Sequence, residues 1–192
     1  NVNMSKFDAD RAVQLIEEKK ISFMFDFSPI LASVLEAAEK SGSDISTLQH
    51  VVGLESPEVI EKYQESIGGT FYCMYGQTET SAIATMGRYS DKPGSAGRTI
   101  PLADVRLVDD DDHPVPVGEV GEIAVKGPMV FKGYWNLAED TAEAFRGGWQ
   151  HTGDLGRFDE DGFLWYEGRK AEKELIKPGG ENVYPAEVEK AI

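Results

Sequence analysis

One cysteine in 192 residues, Cys73, excludes an internal disulfide and suits a reducing compartment, with the cytoplasm the expected one. It lies in the apolar run Phe71-Tyr72-Cys73-Met74, where a buried small hydrophobe is expected rather than a nucleophile. No apolar stretch approaches the roughly 20 residues of a transmembrane helix. The start, Asn1-Val2-Asn3-Met4, has no basic segment leading into an apolar one, so no signal peptide is expected. Positive charge is scarce: 19 Lys and Arg face 34 Asp and Glu, for a net charge of -15. That balance argues against nucleic acid as the main partner, because phosphate contacts need clustered cations. It leaves room for a single nucleotide, since a local site can be positive on an acidic protein. There is no G-x-x-x-x-G-K-[ST] phosphate loop, and Gly94-Ser95-Ala96-Gly97 is not a dinucleotide fingerprint. His50, His113 and His151 lack local metal-ligand spacing and are expected to be structural or exposed.

What is present is a globular composition, 41% hydrophobic and 28% charged, enough for one sizeable core or two small ones. The first third alternates helical and extended patterns. Asp8 or Asp10 can cap a helix bearing Ala12, Val13, Leu15 and Ile16. Residues 21–25 predict a short buried strand. Ser28-Pro29 predicts a second helix, with Ser as cap, carrying Ile30, Leu31, Val34, Leu35 and Ala38 and stopped by Gly42. Residues 48–52 read as a strand. Ser56-Pro57 opens a helix with Val59, Ile60, Tyr63 and Ile67 on its buried face, and Gly68-Gly69 ends it. Residues 70–74 form the next strand. Alternation of this kind predicts a parallel α/β sheet.

After about Tyr89 helical periodicity nearly vanishes. Residues 105–108, 122–125 and 163–166 predict short antiparallel strands between turn-rich segments, a small β-barrel-like region. A helix over residues 137–145, capped by Asn136, interrupts it, and another begins at Pro185. The expected organisation is an α/β part over residues 1–89, the β-barrel-like part over 90–167, and a hinge with the start of a further domain over 168–192. The acidic run Asp109-Asp110-Asp111-Asp112 reads as a solvated hairpin turn, because it lacks the spaced ligands, glycine and terminal Glu of a calcium loop. Asp159-Glu160-Asp161-Gly162 reads as a second turn.

Three segments carry chemistry. Tyr75-Gly76-Gln77-Thr78-Glu79 comes directly after a strand, where ligands of α/β sheets gather. Gly76 permits a sharp turn, Thr78 offers a hydroxyl to phosphate, Glu79 offers a hard oxygen to Mg²⁺, and Tyr75 offers an aromatic face. Trp149-Gln150-His151-Thr152-Gly153-Asp154 ends in a carboxylate that can accept both hydroxyls of a ribose diol. Gly168-Arg169, ahead of Lys177-Pro178-Gly179-Gly180-Glu181-Asn182-Val183-Tyr184-Pro185, offers a guanidinium for phosphate or ribose oxygens. Each alone also reads blandly, as a capped turn, a turn carboxylate or a linker arginine.

In this order, with Gly121-Glu122-Ile123-Ala124-Val125-Lys126-Gly127 continuing to Gly133-Tyr134 between them, the segments resemble the adenylate-forming superfamily. That family comprises acyl-CoA synthetases, luciferases and peptide-synthetase adenylation domains, and Gly168 to Pro185 looks closest to its fatty-acyl-CoA synthetase branch. The resemblance implies that the chain is the C-terminal part of the family's large domain, together with the hinge. It implies ATP/AMP and Mg²⁺ as cofactors, and a carboxylic acid, expected to be a fatty acid, with coenzyme A as co-substrate. By the same resemblance Tyr75 and Gly76 line the adenine side, Thr78 contacts the phosphate and the activated carboxylate, and Glu79 binds Mg²⁺. Asp154 holds the ribose and Arg169 reaches ribose or phosphate. Gly53 and Leu54 fall where the family has a glycine-rich segment beside adenine and the acyl pocket; Met74, Ser81 and Ala82 would join Leu54 in lining that pocket. Two alternatives stand beside it: an adenylation domain that loads a carrier protein or takes an aromatic acid, and a non-catalytic scaffold that keeps the fold.

The family's T-S-G-T-T-G-x-P-K loop and its catalytic lysine have no counterpart here, and Ala171, with Glu172 and Lys173 after it, stands where many members carry a hinge Asp or Lys. The chain therefore reads as a fragment. By itself it is expected to catalyse no ATP–pyrophosphate exchange with a fatty acid, and robust exchange would refute that reading.

Overall fold

The computed structural model describes residues 1–170. The segment from Lys177, the helix expected from Pro185 and the hinge positions 171–173 lie outside the described residues. The chain divides into two compact units, one of Asn1–Tyr75 with Thr85–Arg98, the other of Gly76–Ala84 with the described residues from Thr99.

The first unit is the α/β part. It runs α1 (Ala9–Lys19), β1 (Phe23–Phe27), α2 (Ile30–Ser41), β2 (His50–Leu54), α3 (Pro57–Ile67), β3 (Thr70–Tyr75) and β4 (Thr85–Arg88), with the short β5 (Arg98–Thr99) next in the sheet order β1-β2-β3-β4-β5. β1, β2 and β3 are parallel, and β4 returns antiparallel to β3. The expected parallel sheet is present. Asp8 caps α1, its carboxylate accepting the Arg11 N–H at 2.8 Å. Gly42 and Gly68 take the left-handed conformation that closes α2 and α3. The helices bury one face: Val13 and Ile16 of α1, Leu31, Val34 and Leu35 of α2, and Ile60 and Tyr63 of α3 pack with Val51 and Phe71 of the sheet.

Two local expectations change here. The strand expected over residues 21–25 is displaced to Phe23–Phe27, and it is not buried: Phe23, Phe25 and Phe27 are exposed while Asp26 is fully covered. Strand alternation puts Met24 and Asp26 on the helix side and the three phenylalanines on the other. Asp26 also takes the capping role expected of Ser28, its Oδ1 accepting the Leu31 N–H at 2.9 Å. Its Oδ2 is buried without a hydrogen-bond partner. β2 carries Gly53 opposite Asp26, where any side chain would overlap the Asp26 carbonyl.

The second unit holds the antiparallel half-barrel. β6 (Asp104–Val108), β7 (Gly121–Lys126), β9 (Trp149–Phe158) and β10 (Leu164–Arg169) form a sheet in the order β10-β9-β7-β6, and β8 (Phe145–Arg146) pairs with β9. Leu107, Val108, Ile123, Ala124, Val125 and Leu164 are buried apolar residues of its strands. The expected helix is there as α4 (Ala138–Ala144), but Asn136 does not cap it; Asn136 stands at φ 56° and Leu137 precedes the first turn. β9 went unpredicted. Its Gln150-His151-Thr152-Gly153-Asp154 core is polar and buried, so hydrophobic alternation could not mark it. Both acidic turns form: Asp109 Oδ1 accepts the Asp111 and His113 N–H groups, and Asp159 Oδ1 those of Asp161 and Phe163.

Burial, with the nearby charge of Glu55 adding and the Leu31 N–H opposing, raises the Asp26 carboxyl from 3.8 to about 6. A raised folded-state value favours the protonated form, so this contribution to stability is complete below the ordinary carboxylate range and is lost as pH rises through about 6. Thermal melts from about pH 4 to about pH 7 should show the wild type losing stability relative to Asp26→Asn. Parallel curves would refute the assignment.

Candidate functional site

The turn after β3 is built by its own side chains. Gln77 N–H donates to Thr80 Oγ1 at 3.0 Å, and the Thr80 N–H donates back to the Gln77 carbonyl at 3.0 Å. The Ala82 N–H donates to the same carbonyl at 3.1 Å, which closes a compact loop. Ser81 and Ala82 have φ of 52° and 89°, a conformation that side chains other than glycine's enter at a cost of roughly 1–3 kcal/mol. Gly76 is required by that closure, because a Cβ there would run into the Ala82 carbonyl. The result exposes Thr78 and leaves Glu79 half-buried.

Asp154 reaches the same loop from β9. Between the Glu122–Leu155 and Ala124–His151 pairs, β9 carries Thr152, Gly153 and Asp154 against Ile123 alone. Such a bulge re-aims the side chain it carries. Thr152 Oγ1 donates to the Ile123 carbonyl at 2.7 Å and accepts the Asp154 N–H at 3.1 Å, so the bulge satisfies its own backbone. Asp154 itself is 6% exposed. Its Oδ2 accepts Gln77 Nε2 at 3.1 Å, and its Oδ1 accepts Arg169 Nε at 2.8 Å from the facing position on β10. Tyr166 also hydrogen-bonds this carboxylate through its side chain.

Glu79 Oε1 accepts the Tyr134 hydroxyl at 2.9 Å, and its backbone carbonyl accepts the Phe131 N–H at 2.8 Å. Burial, then the Glu79 hydrogen bond and charge, push the Tyr134 hydroxyl up to about 12, so it stays a donor. Ser81 Oγ donates to the Met129 carbonyl at 2.7 Å. A carboxylate fixed by one donor retains lone pairs for a hard cation, and the donor set fits Mg²⁺ chemistry.

Gly76, Thr78, Glu79, Ser81, Ala82, Asp154 and Arg169 thus lie in one unit. Gln77–Asp154–Arg169 is one hydrogen-bonded chain, and Glu79 and Ser81 are tied to the segment 129–134. Gly53, Leu54, Met74 and Tyr75 belong to the first unit: Gly53 pairs with Cys73, Leu54 is 52% exposed, and Met74 and Tyr75 are buried on β3. Sequence reasoning missed Gln77 and Tyr134 as parts of the arrangement. The Gly133-Tyr134 pair was visible as a motif, but only the fold brings its hydroxyl to Glu79.

The chain belongs to the AMP-binding enzyme family, whose sequence model matches residues 1–135. It is similar to the indoleacetate–CoA ligase of Aromatoleum aromaticum, 38% identical over 97% of this chain and 37% of that protein. It is also similar to a medium/long-chain-fatty-acid–CoA ligase of Mycobacterium tuberculosis, 36% identical over 98% of this chain and 34% of that one. The chain therefore spans little more than a third of those relatives' length. Among solved structures, the O-succinylbenzoate CoA synthetase of Bacillus subtilis in complex with AMP matches with a TM-score of 0.77 at 31% identity, over 96% of this chain and 38% of that one. The same enzyme has been solved with ATP and magnesium ion. Relatives named for fatty, indole and succinylbenzoate acids show that membership does not fix the acid. Among the described residues no helix is long and apolar enough to cross a membrane.

Gly76→Ala should destabilise the chain by about 2 kcal/mol, as overpacking against backbone does. Urea denaturation checks this, and an unchanged midpoint would mean the loop does not close on Gly76.

Proposed function

We propose that this chain forms part of an acid–thiol ligase that joins a carboxylic acid to coenzyme A through an acyl-adenylate. The observation that carries the reading is the bulge-borne Asp154 held between Gln77 and Arg169. A carboxylate 6% exposed, whose plane Gln77 and Arg169 already fix, presents its oxygens to a vicinal diol in a set orientation. In this reading Asp154 takes the ribose hydroxyls, and Arg169 donates to ribose or phosphate. The exposed Thr78 hydroxyl contacts the α-phosphate and the attacking carboxylate, donating its single proton to one of them at a time, and Tyr75 and Gly76 border the adenine. Glu79 holds Mg²⁺, with Tyr134 fixing its orientation. When bound, Mg²⁺ supplies neutralisation of the transferring phosphate's charge. The acid attacks the α-phosphorus, its oxygen forming the new P–O bond as pyrophosphate leaves. The thiol of coenzyme A then takes the acyl group and AMP departs. Thr78 and Arg169 contribute by orienting the reacting oxygens and offsetting charge.

The preferred acid is a fatty acid, with Leu54, Met74, Ser81 and Ala82 as candidate pocket residues and Gly53 as the backbone beside adenine. An aromatic acid is the second reading, supported by the 38% identity to an indoleacetate–CoA ligase. A panel of fatty and aryl acids, scored for CoA thioester by the enzyme carrying this chain, separates the two. The organisation 1–89, 90–167 and 168–192 belongs to the same proposal, the last part being the hinge and the start of a smaller domain. A cytoplasmic setting suits the single cysteine.

Calorimetric titration with AMP tests the site. Asp154→Ala should raise the dissociation constant at least about tenfold, the equivalent of roughly 1.4 kcal/mol. Equal binding by parent and variant would sink the ribose assignment.

A further inference from the structure

Glu122 lies on β7 next to the bulge and is 4% exposed. A carboxylate so deeply buried is tolerated only when its oxygens are satisfied. Oε1 accepts the Gly153 N–H at 3.0 Å, inside the bulge and one residue before Asp154. Oε2 lies 3.2 Å from Arg146 Nη2, 3.2 Å from Lys170 Nζ and 3.3 Å from His151 Nδ1. Lys170 comes immediately after Arg169, and its backbone N–H donates to the Gly153 carbonyl at 2.9 Å. One carboxylate therefore grips the bulge before Asp154 and the residue after Arg169.

We propose that Glu122 is the positioning residue of this site, fixing Asp154 and Arg169 against each other through Gly153 and Lys170. The proposal rests on the ribose reading of Asp154 and Arg169 for its functional meaning; its geometric content stands apart from it. Glu122 acts through neighbours and is assigned no contact with a substrate. Burial pushes its carboxyl up, but the Gly153 N–H, His151 and Lys170 together outweigh this and hold it below the usual carboxylate value, so the charged form that Lys170 and Arg146 require is the one present. Gln in its place would keep an acceptor for Gly153 but turn a neutral amide toward two cations.

The test uses Glu122→Gln and Glu122→Asp in the 192-residue chain, with two readouts. The first is solvent exchange of the Arg169 Nε–H, monitored by NMR without nucleotide. Glu122→Gln should speed it at least about tenfold while amide protection at Val125, on the paired part of β7, stays as in the parent. The second is AMP affinity, expected to fall at least about tenfold in Glu122→Gln and to recover in part in Glu122→Asp. Should Glu122→Gln fail to fold, Lys170→Gln removes one arm and should speed the same exchange to a lesser degree. Unchanged Arg169 exchange in the folded variants overturns the proposal. If exchange changes but AMP binding ignores both Asp154→Ala and Glu122→Gln, Glu122 still positions the pair and the ribose reading is what fails.

Discussion

A buried ionised carboxylate must be surrounded by donors, and the half-barrel is arranged around one. Glu122 draws to itself the Gly153 N–H, Arg146, His151 and Lys170. Three of these partners extend the network to the acidic turn, His151 Nε2 lying 3.6 Å from Asp112 Oδ1. Arg146 also meets Asp112 at 3.3 Å, and Lys170 meets Asp110 at 2.9 Å. Strands β7, β8 and β9, the end of β10 and the turn between β6 and β7 are thereby tied to a common point. Apolar packing of Ile123, Val125 and Leu164 sets the sheet; this polar cluster sets where the bulge falls and how the chain leaves it.

The bulge links that cluster to chemistry. Regular alternation along β9 would direct Asp154 by strand period alone. Two surplus residues opposite Ile123 break the period, and Thr152 and Glu122 absorb the backbone groups that the break leaves unpaired. Asp154 then meets Arg169 across the strand pair and Gln77 from the loop after β3. The loop contributes in the same way: two non-glycine residues at positive φ and a glycine that admits no Cβ bring Glu79 to Tyr134. The positive φ of Ser81 and Ala82 and the bulge at Thr152 and Gly153 flank Thr78, Glu79 and Asp154, the residues assigned to the nucleotide.

Shared family membership with ligases named for quite different acids fits a division of labour. Groups that would serve the nucleotide are drawn here from short motifs with demanding side chains. Apolar positions such as Leu54 and Met74 carry no such demand, since many side chains of similar size fill an apolar pocket equally well.

The sequence by itself determined the fold class, because helical period, strand alternation, capping residues and glycine stops are local signals, and it marked Thr78, Glu79, Asp154 and Arg169 because their motifs are short and ordered. It misplaced what depends on neighbours. β1 shifted by two residues because only the position of the helices decides which face is covered, and Asp26 displaced Ser28 as cap because it reaches α2 from a strand. β9 escaped notice because its buried core is polar and therefore has no hydrophobic period to read. Glu122, His151 and the acidic turn looked like ordinary strand and loop residues. Tertiary structure alone made them one cluster, since a buried charge acquires its partners only when strands distant in sequence are brought side by side.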